Sequence, residues 1–343
     1  MRFPWANVAL IALFTFELVT GYLGLTHNNP EWIAAMHLHR IAGFSILVLF
    51  VWKSRNILGS FRTRNNWKGS PSMMLGSTLL LVGLLTVLGL GLAWSHIGPY
   101  SFLGFSGTTI HLNLAWMLLP LLVWHTIRHK ISLRTRYVSG RRNFLRFAGV
   151  AVAGLAAWQL SERLMLATGA PGAERRFTGS HPEDGPGFPV TMWLDDRIQH
   201  IDANSWRLRV NGHVESPYQV DYTELQQWNY RLTATLDCTG GWYTTREWQG
   251  IPVAELLARA RPRAGAGSIT IRSRTGYFRR YSMEEAQRAL LANRVDGAPL
   301  SPGHGFPARM VEPHKRGYDW VKWVEEITVN DTGKFWQPPL PVT

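Results

Sequence analysis

Cysteine is nearly missing from this sequence: Cys238 is the only one in 343 residues, so no intramolecular disulfide can form. Acidic residues are nearly missing from the first half. Residues 1–170 hold Glu17, Glu31 and Glu162 against fifteen Lys and Arg, whereas residues 171–343 are almost balanced. Nearly all of the net charge of +13 thus lies in one half, which argues against a general polyanion-binding surface, and no nucleic-acid partner is expected. Lys and Arg are absent from 26–31 and 95–107, and that absence alternates with basic clusters elsewhere.

What is present explains the alternation. Apolar runs occupy about 4–25, 32–52, 71–94, 108–127 and 144–166, each near the ~20 residues that cross a bilayer. The connection 53–69 carries Lys53, Arg55, Arg62, Arg64 and Lys68, and 128–146 carries Arg128, Lys130, Arg134, Arg136, Arg141, Arg142 and Arg146. Positive charge stays on the cytoplasmic side, so the pattern predicts a multi-pass protein of a bacterial inner membrane with its N-terminus cytoplasmic. An odd number of spans places the C-terminal half in the periplasm. The expected organisation is a four-helix membrane domain over 1–136, an anchor helix over 137–167, a Gly/Pro-rich linker over 168–187 and an α+β domain over 188–343.

The fifth run differs from the others. Ser139-Gly140-Arg141-Arg142-Asn143-Phe144-Leu145-Arg146 precedes a mild Ala/Gly-rich stretch and resembles a twin-arginine export signal. An ordinary basic flank is the competing reading. The signal reading implies the twin-arginine export machinery as a partner and a domain that receives its cofactor before crossing the membrane.

Histidines cluster in the membrane half, where ionisable groups are costly. His37 and His39 lie near the start of the second run, His96 at the end of the third, and His111 and His125 on the fourth. Imidazoles from facing helices are the usual axial ligands of a b-type haem. His39 and His111 are expected at similar depth and form the preferred pair, with His37, His96 and His125 as alternatives. Gly43, one turn from His39, leaves room for a porphyrin, and Arg40 is a candidate for a haem propionate. Fourteen residues past His39 stands Lys53, so His125 has no histidine opposite it and a second haem is not expected. Glu17 either serves a quinone proton or pairs with a neighbouring helix.

Cys238 ends an alternating run, Leu232, Ala234 and Leu236, where the chain breaks into glycines. A free thiol at such a corner is either a small buried hydrophobe or a ligand for a soft metal. Around it stand Trp206-Arg207-Leu208-Arg209-Val210-Asn211-Gly212, with Val214 and Pro217, and Trp248-Gln249-Gly250-Ile251-Pro252. A closing block follows: His304-Gly305-Phe306-Pro307-Ala308-Arg309, Pro313, Gly317 and Val321-Lys322-Trp323. Over about 185–331 these motifs resemble, in order, the molybdopterin domain of the sulfite oxidase superfamily.

The resemblance implies a molybdopterin (Mo) cofactor, Cys238 as molybdenum ligand, and His304, Arg309 and Lys322 toward the pterin phosphate, with Lys315 and Arg316 as further candidates. Arginine is the preferred fork for phosphate, and glycine permits close backbone approach. True sulfite oxidases follow the cysteine with a pair of arginines, whereas here Thr239-Gly240-Gly241-Trp242-Tyr243 follows. A neutral aromatic pocket grips a dianion poorly and resembles the sulfoxide-reductase branch. Trp242 and Tyr243 are expected to shape the pocket, and Tyr277 or Tyr281 to supply a phenol. The expected function is oxygen-atom transfer on a small S- or N-oxide or sulfur compound, exchanging electrons with quinone or quinol through haem b. The rivals are a sulfite-type oxidase and a non-catalytic electron carrier without molybdenum.

Overall fold

The computed structural model describes residues 3–129, 137–185, 187–192 and 196–336. Lys130, Arg134, Arg136 and the expected border at 136 lie outside the described residues. The chain divides into two compact units, the first Met1–Leu25 with Pro30–His181, the second Thr26–Asn29 with Pro182–Thr343.

The first unit is helical. Its elements are α1 (Pro4–Thr26), α2 (Ile33–Arg62), a short α3 (Arg64–Gly69), α4 (Pro71–Ile97), α5 (Gly107–Arg128) and α6 (Arg141–Thr168). A two-residue hairpin, β1 (Ser101–Phe102) with β2 (Phe105–Ser106), separates α4 from α5. Pro71 starts α4 where a missing N–H costs nothing, and the Ser106 side chain accepts from the Thr109 N–H to cap α5. Gly169 ends α6 in the left-handed region, and its N–H bonds back to Leu166 and Met165.

Among the described residues five helices are long and apolar enough to cross a membrane. Large side chains such as Val51, Leu75, Met117 and Ile127 are exposed on them, which water would not tolerate in such number. The pattern is that of a membrane-associated protein. Phe14, Ile46, Leu84, Val87 and Leu118 pack α1, α2, α4 and α5 around one interior.

After β3 (His181–Pro182), the second unit alternates strands with short helices. β4 (Arg207–Gly212), β5 (Tyr218–Asp221) and α7 (Tyr222–Gln227) lead to β6 (Tyr230–Asp237) and the long β7 (Trp242–Pro252). Then come α8 (Val253–Ala260), β8 (Ser268–Ser273), β9 (Phe278–Ser282), α9 (Met283–Arg288), β10 (Leu290–Val295), β11 (Ala298–Pro299), β12 (Arg309–Val311) and β13 (Val324–Asn330). One sheet runs β5-β4-β13-β8-β9, with β4 and β13 parallel. In the other, β7 pairs with β6 and β10, and β10 with β11 and β12. Buried residues of β4, β8, β13 and α8, among them Leu208, Ile271, Ile327 and Leu256, form the main core. A smaller one under β7 holds Leu236, Trp248, Leu290, Val311 and Trp320. An α+β unit thus follows an α-helical one.

Candidate functional site

Cys238 sits where the β6–β7 hairpin turns. Its own N–H bonds to the Trp242 carbonyl at 2.8 Å, and the Gly241 N–H returns to the Cys238 carbonyl at 3.0 Å. Gly241 takes φ 91°, a conformation that L side chains rarely adopt. The turn aims the Gly240 N–H at the Cys238 sulfur, 3.3 Å away, with the Thr191 hydroxyl at 3.5 Å. Cys238 as a residue is 9% exposed.

Arg309, at the start of β12, is buried and forms no ion pair among the described residues. It donates to the His304 carbonyl at 3.3 Å and lies over the rings of Trp248 and Trp320. Among the described residues its Nε is buried with no hydrogen-bond partner, as are the indole nitrogens of Trp242 and Trp320. A buried guanidinium without a carboxylate costs several kcal/mol of order unless an anion joins it. Burial presses its pKa down to about 10, while Cys238 acts in the opposite sense. Gly305 brings in the second cation. At φ 109° it lies so close to Lys322 and Arg309 that an added Cβ would sit 3.1 and 3.2 Å from theirs. The Lys322 ammonium donates to the carbonyls of Thr191 and Gly303 at 2.9 and 2.7 Å and has no carboxylate within ion-pair reach among the described residues.

Burial first and Arg309 second press Lys322 from 10.5 down to about 7, opposed by Cys238 and Asp196. The unfolded chain therefore binds more protons than the folded one between those values, and this residue makes folding more favourable as pH rises from about 7 to about 10. In cofactor-free protein, Lys322→Met is expected to flatten that portion of the melting-temperature curve. An unchanged slope would mean that the ammonium sits in water.

Other expected site residues are placed differently. Arg316 is buried, but its guanidinium is bonded to Asp237 at 2.7 Å and to the Cys238 carbonyl at 3.2 Å. Its charge is neutralised, so it braces the cysteine corner. Lys315 bonds Glu285 at 2.6 Å. Burial would raise Glu285, but Lys315, Lys334 and the Ser282 N–H together bring it down to about 2, so Lys315 is committed as well. Both ring nitrogens of His304 are occupied, Nε2 by the Phe188 carbonyl and Nδ1 by Ser301. Burial lowers its pKa, and the ring stacks on Phe188, 3.9 Å between centroids.

Tyr277 and Tyr281 donate to the carbonyls of Tyr318 and Asp319, and burial raises both phenols. They clamp the 317–320 turn, whose Gly317 packs within a Cβ contact of 3.3 Å from the Cys238 backbone. Neither phenol is available as a proton donor. Trp242 and Tyr243 stand just beyond the Thr239-Gly240-Gly241 turn, both half-buried. Sequence reasoning missed Thr191, the Gly240 N–H and the rings of Trp248 and Trp320; Trp248 opens a motif quoted above, and Trp320 directly precedes Val321-Lys322-Trp323.

In the helical unit, the rings of His39 on α2 and His111 on α5 lie 6.3 Å apart at 75°. His39 Nδ1 is 2.6 Å from the Glu17 carboxylate and 3.0 Å from the Thr20 hydroxyl; His111 Nδ1 is 2.9 Å from the Val87 carbonyl. Neither Nε2 has a hydrogen bond among the described residues. Anchoring one ring nitrogen on a carboxylate or carbonyl is the arrangement of metal-ligating histidine. Among the described residues no group of three or more His, Cys, Asp or Glu could hold a metal ion.

Glu17 thus pairs with a helix. His37 stacks on Trp158 of α6, and both ring nitrogens of His96 are used by Leu92 and Ser161. His125 shares Ser77 with His129. Arg40 donates to the Phe177 carbonyl at 3.0 Å rather than standing open for a propionate.

Residues 195–336 match the oxidoreductase molybdopterin binding domain family. The chain is a molybdopterin-dependent oxidoreductase. It is similar to the uncharacterized oxidoreductase YuiH of Bacillus subtilis, 28% identical over 44% of this chain and 78% of that protein. It is 26% identical to an NADPH nitrate reductase of Fusarium oxysporum over 39% of this chain and 18% of that protein. A putative protein-methionine-sulfoxide reductase subunit, YedZ1 of Azospira oryzae, is 26% identical over 44% of this chain and 60% of that protein. The chain thus spans a fifth to three fifths of the length of the latter two. Among solved structures, the sulfane dehydrogenase SoxCD of Paracoccus pantotrophus is 26% identical, with a TM-score of 0.38 over 39% of this chain and 40% of that one.

Proposed function

We propose that this protein is a membrane-anchored, periplasmic reductase of small S- or N-oxides that draws electrons from quinol through a b-type haem held by His39 and His111. The observation that carries the reading is the Cys238 corner. It is a buried thiol facing two cations, Arg309 and Lys322, that lack carboxylate partners among the described residues, which fits an anionic pterin with a thiolate-bound metal.

Molybdopterin, when bound, supplies the two-electron oxygen-atom transfer. The chain contributes the rest. Cys238 offers the sulfur ligand, held by the Gly240 N–H. Arg309 and Lys322 would hold the phosphate, and the indole N–H groups of Trp242 and Trp320, which have no hydrogen-bond partner among the described residues, would be available to orient the pterin. The arginine beside the cysteine, Arg316, is neutralised by Asp237, and the residues after Cys238 carry no charge until Arg246. A neutral sulfoxide or amine oxide suits that surface better than sulfite. The resemblance to a relative named for methionine-sulfoxide reduction supports the same choice. In the helical unit, His39 and His111 would ligate the haem iron, with Glu17 and the Val87 carbonyl fixing their rings.

The test is optical. With detergent-solubilised protein whose haem has been reduced and freed of reductant, methionine sulfoxide is expected to reoxidise the haem, taking two electrons and two protons to give the sulfide and water. Reduction of oxidised haem by sulfite would overturn the reading and establish flow toward quinone.

A further inference from the structure

Resting on the proposed exchange with quinol, we infer that the basic end of the helical bundle holds a binding site for one quinone ring, in a cavity between α1, α2, α4 and α5. Its volume is about 200 Å³, and its lining is mostly Leu, Ile and Phe. A cavity of roughly 150 Å³ takes a benzene ring, so this space admits a single substituted ring and is too small for a porphyrin.

The polar groups gather at one end. Lys53 of α2 is an ammonium inside a membrane helix, an expensive residue that marks function more often than packing. Among the described residues its one hydrogen bond goes to the Asn7 side chain, at 2.5 Å, which leaves two of its three N–H donors. Asn56, one turn further along α2, has its side-chain nitrogen buried with no hydrogen-bond partner among the described residues. The structure thus presents two sets of spare donors lining the same space.

Acceptors stand opposite. The Ser77 hydroxyl donates to the Met73 carbonyl at 2.7 Å, so its oxygen must accept from His125 Nδ1 at 3.2 Å and His129 Nε2 at 3.1 Å. In the neutral rings those two protons leave His125 Nε2 and His129 Nδ1 as acceptors. Carbonyl oxygens of a quinone would accept from Lys53 and Asn56, and hydroxyls of the quinol would donate to the imidazoles. Both redox forms are served by one set of residues.

The apolar end points toward the paired histidines. Leu84 lies one helical turn from Val87, whose carbonyl anchors His111, and Phe14 lies one turn from Glu17, which anchors His39. A second haem does not fit the lining. His125 and His129 stack on each other from one helix, 4.3 Å between centroids, and the residue facing them across the cavity is Lys53.

The test uses full-length protein in lipid nanodiscs and a photoreactive azido-benzoquinone, with decyl-benzoquinone as competitor. Competed label is expected on peptides carrying Lys53–Ser60 or Leu122–His129. Asn56→Leu and Ser77→Leu are each expected to reduce labelling at least about tenfold, the worth of one well-made hydrogen bond. If either fails to elute like the wild type, Leu81→Trp blocks the cavity from its apolar side. Competed label confined to other segments would overturn this site and leave the quinol partnership standing. No competed label anywhere would overturn both, while Cys238-dependent reduction of a sulfoxide by a reduced dye would remain a separate result. Two haems per chain, one lost in His125→Leu, would also overturn it.

Discussion

Cys238→Ser is expected to reduce sulfoxide turnover to background while leaving the haem absorption and the folded domain intact. Serine keeps the volume and a weak acceptor for the Gly240 N–H, so the 238–242 turn closes as before. What it removes is the soft ligand, and a hydroxyl is a poor substitute at a metal that selects thiolate. Arg309 and Lys322 would still hold the pterin phosphate, so cofactor content should fall far less than activity. Molybdenum and pterin assays beside the turnover measurement check this. Normal activity in the variant would overturn the assignment of Cys238 as ligand.

His111→Ala is expected to abolish the b-type absorption band and, with it, reduction of the molybdenum domain by quinol, while oxide reduction by an artificial dye persists. The ring is anchored by the Val87 carbonyl and faces His39, so no neighbouring imidazole can take its place without rebuilding α5. His39→Ala should give the same spectrum-free protein. Glu17→Gln would keep a bond to the His39 ring but remove its charge, and so should retain haem with an altered reduction potential. An unchanged spectrum in His111→Ala would move the haem elsewhere. His96 would then have to break its bonds to Leu92 and Ser161 to serve.

Much of the site was legible because chemistry-bearing residues were scarce. One cysteine could be singled out by its uniqueness, and Arg309 and Lys322 by the glycine-rich block around them. Proximity in sequence misled at Lys315 and Arg316. Their charges are spent on Glu285 and Asp237, residues that arrive from α9 and β6 and that no local pattern connects to them. Tyr277 and Tyr281 were ambiguous for the same reason. A phenol reads alike whether it donates to substrate or to a backbone carbonyl, and here both clamp the 317–320 turn.

By itself the sequence determined the apolar runs, the alternation of basic and uncharged connections, the α+β character of the second half and the single cysteine within it. These depend on local hydrophobicity and periodicity, which each segment carries wherever it packs. Only the tertiary structure decided which cations near Cys238 lack a counter-charge, which of five histidines face one another, and that Lys53, Asn56 and His125 line one cavity. Those are properties of pairs far apart in the chain. Burial and partnership set the cost of a charge, and neither exists until the elements are packed.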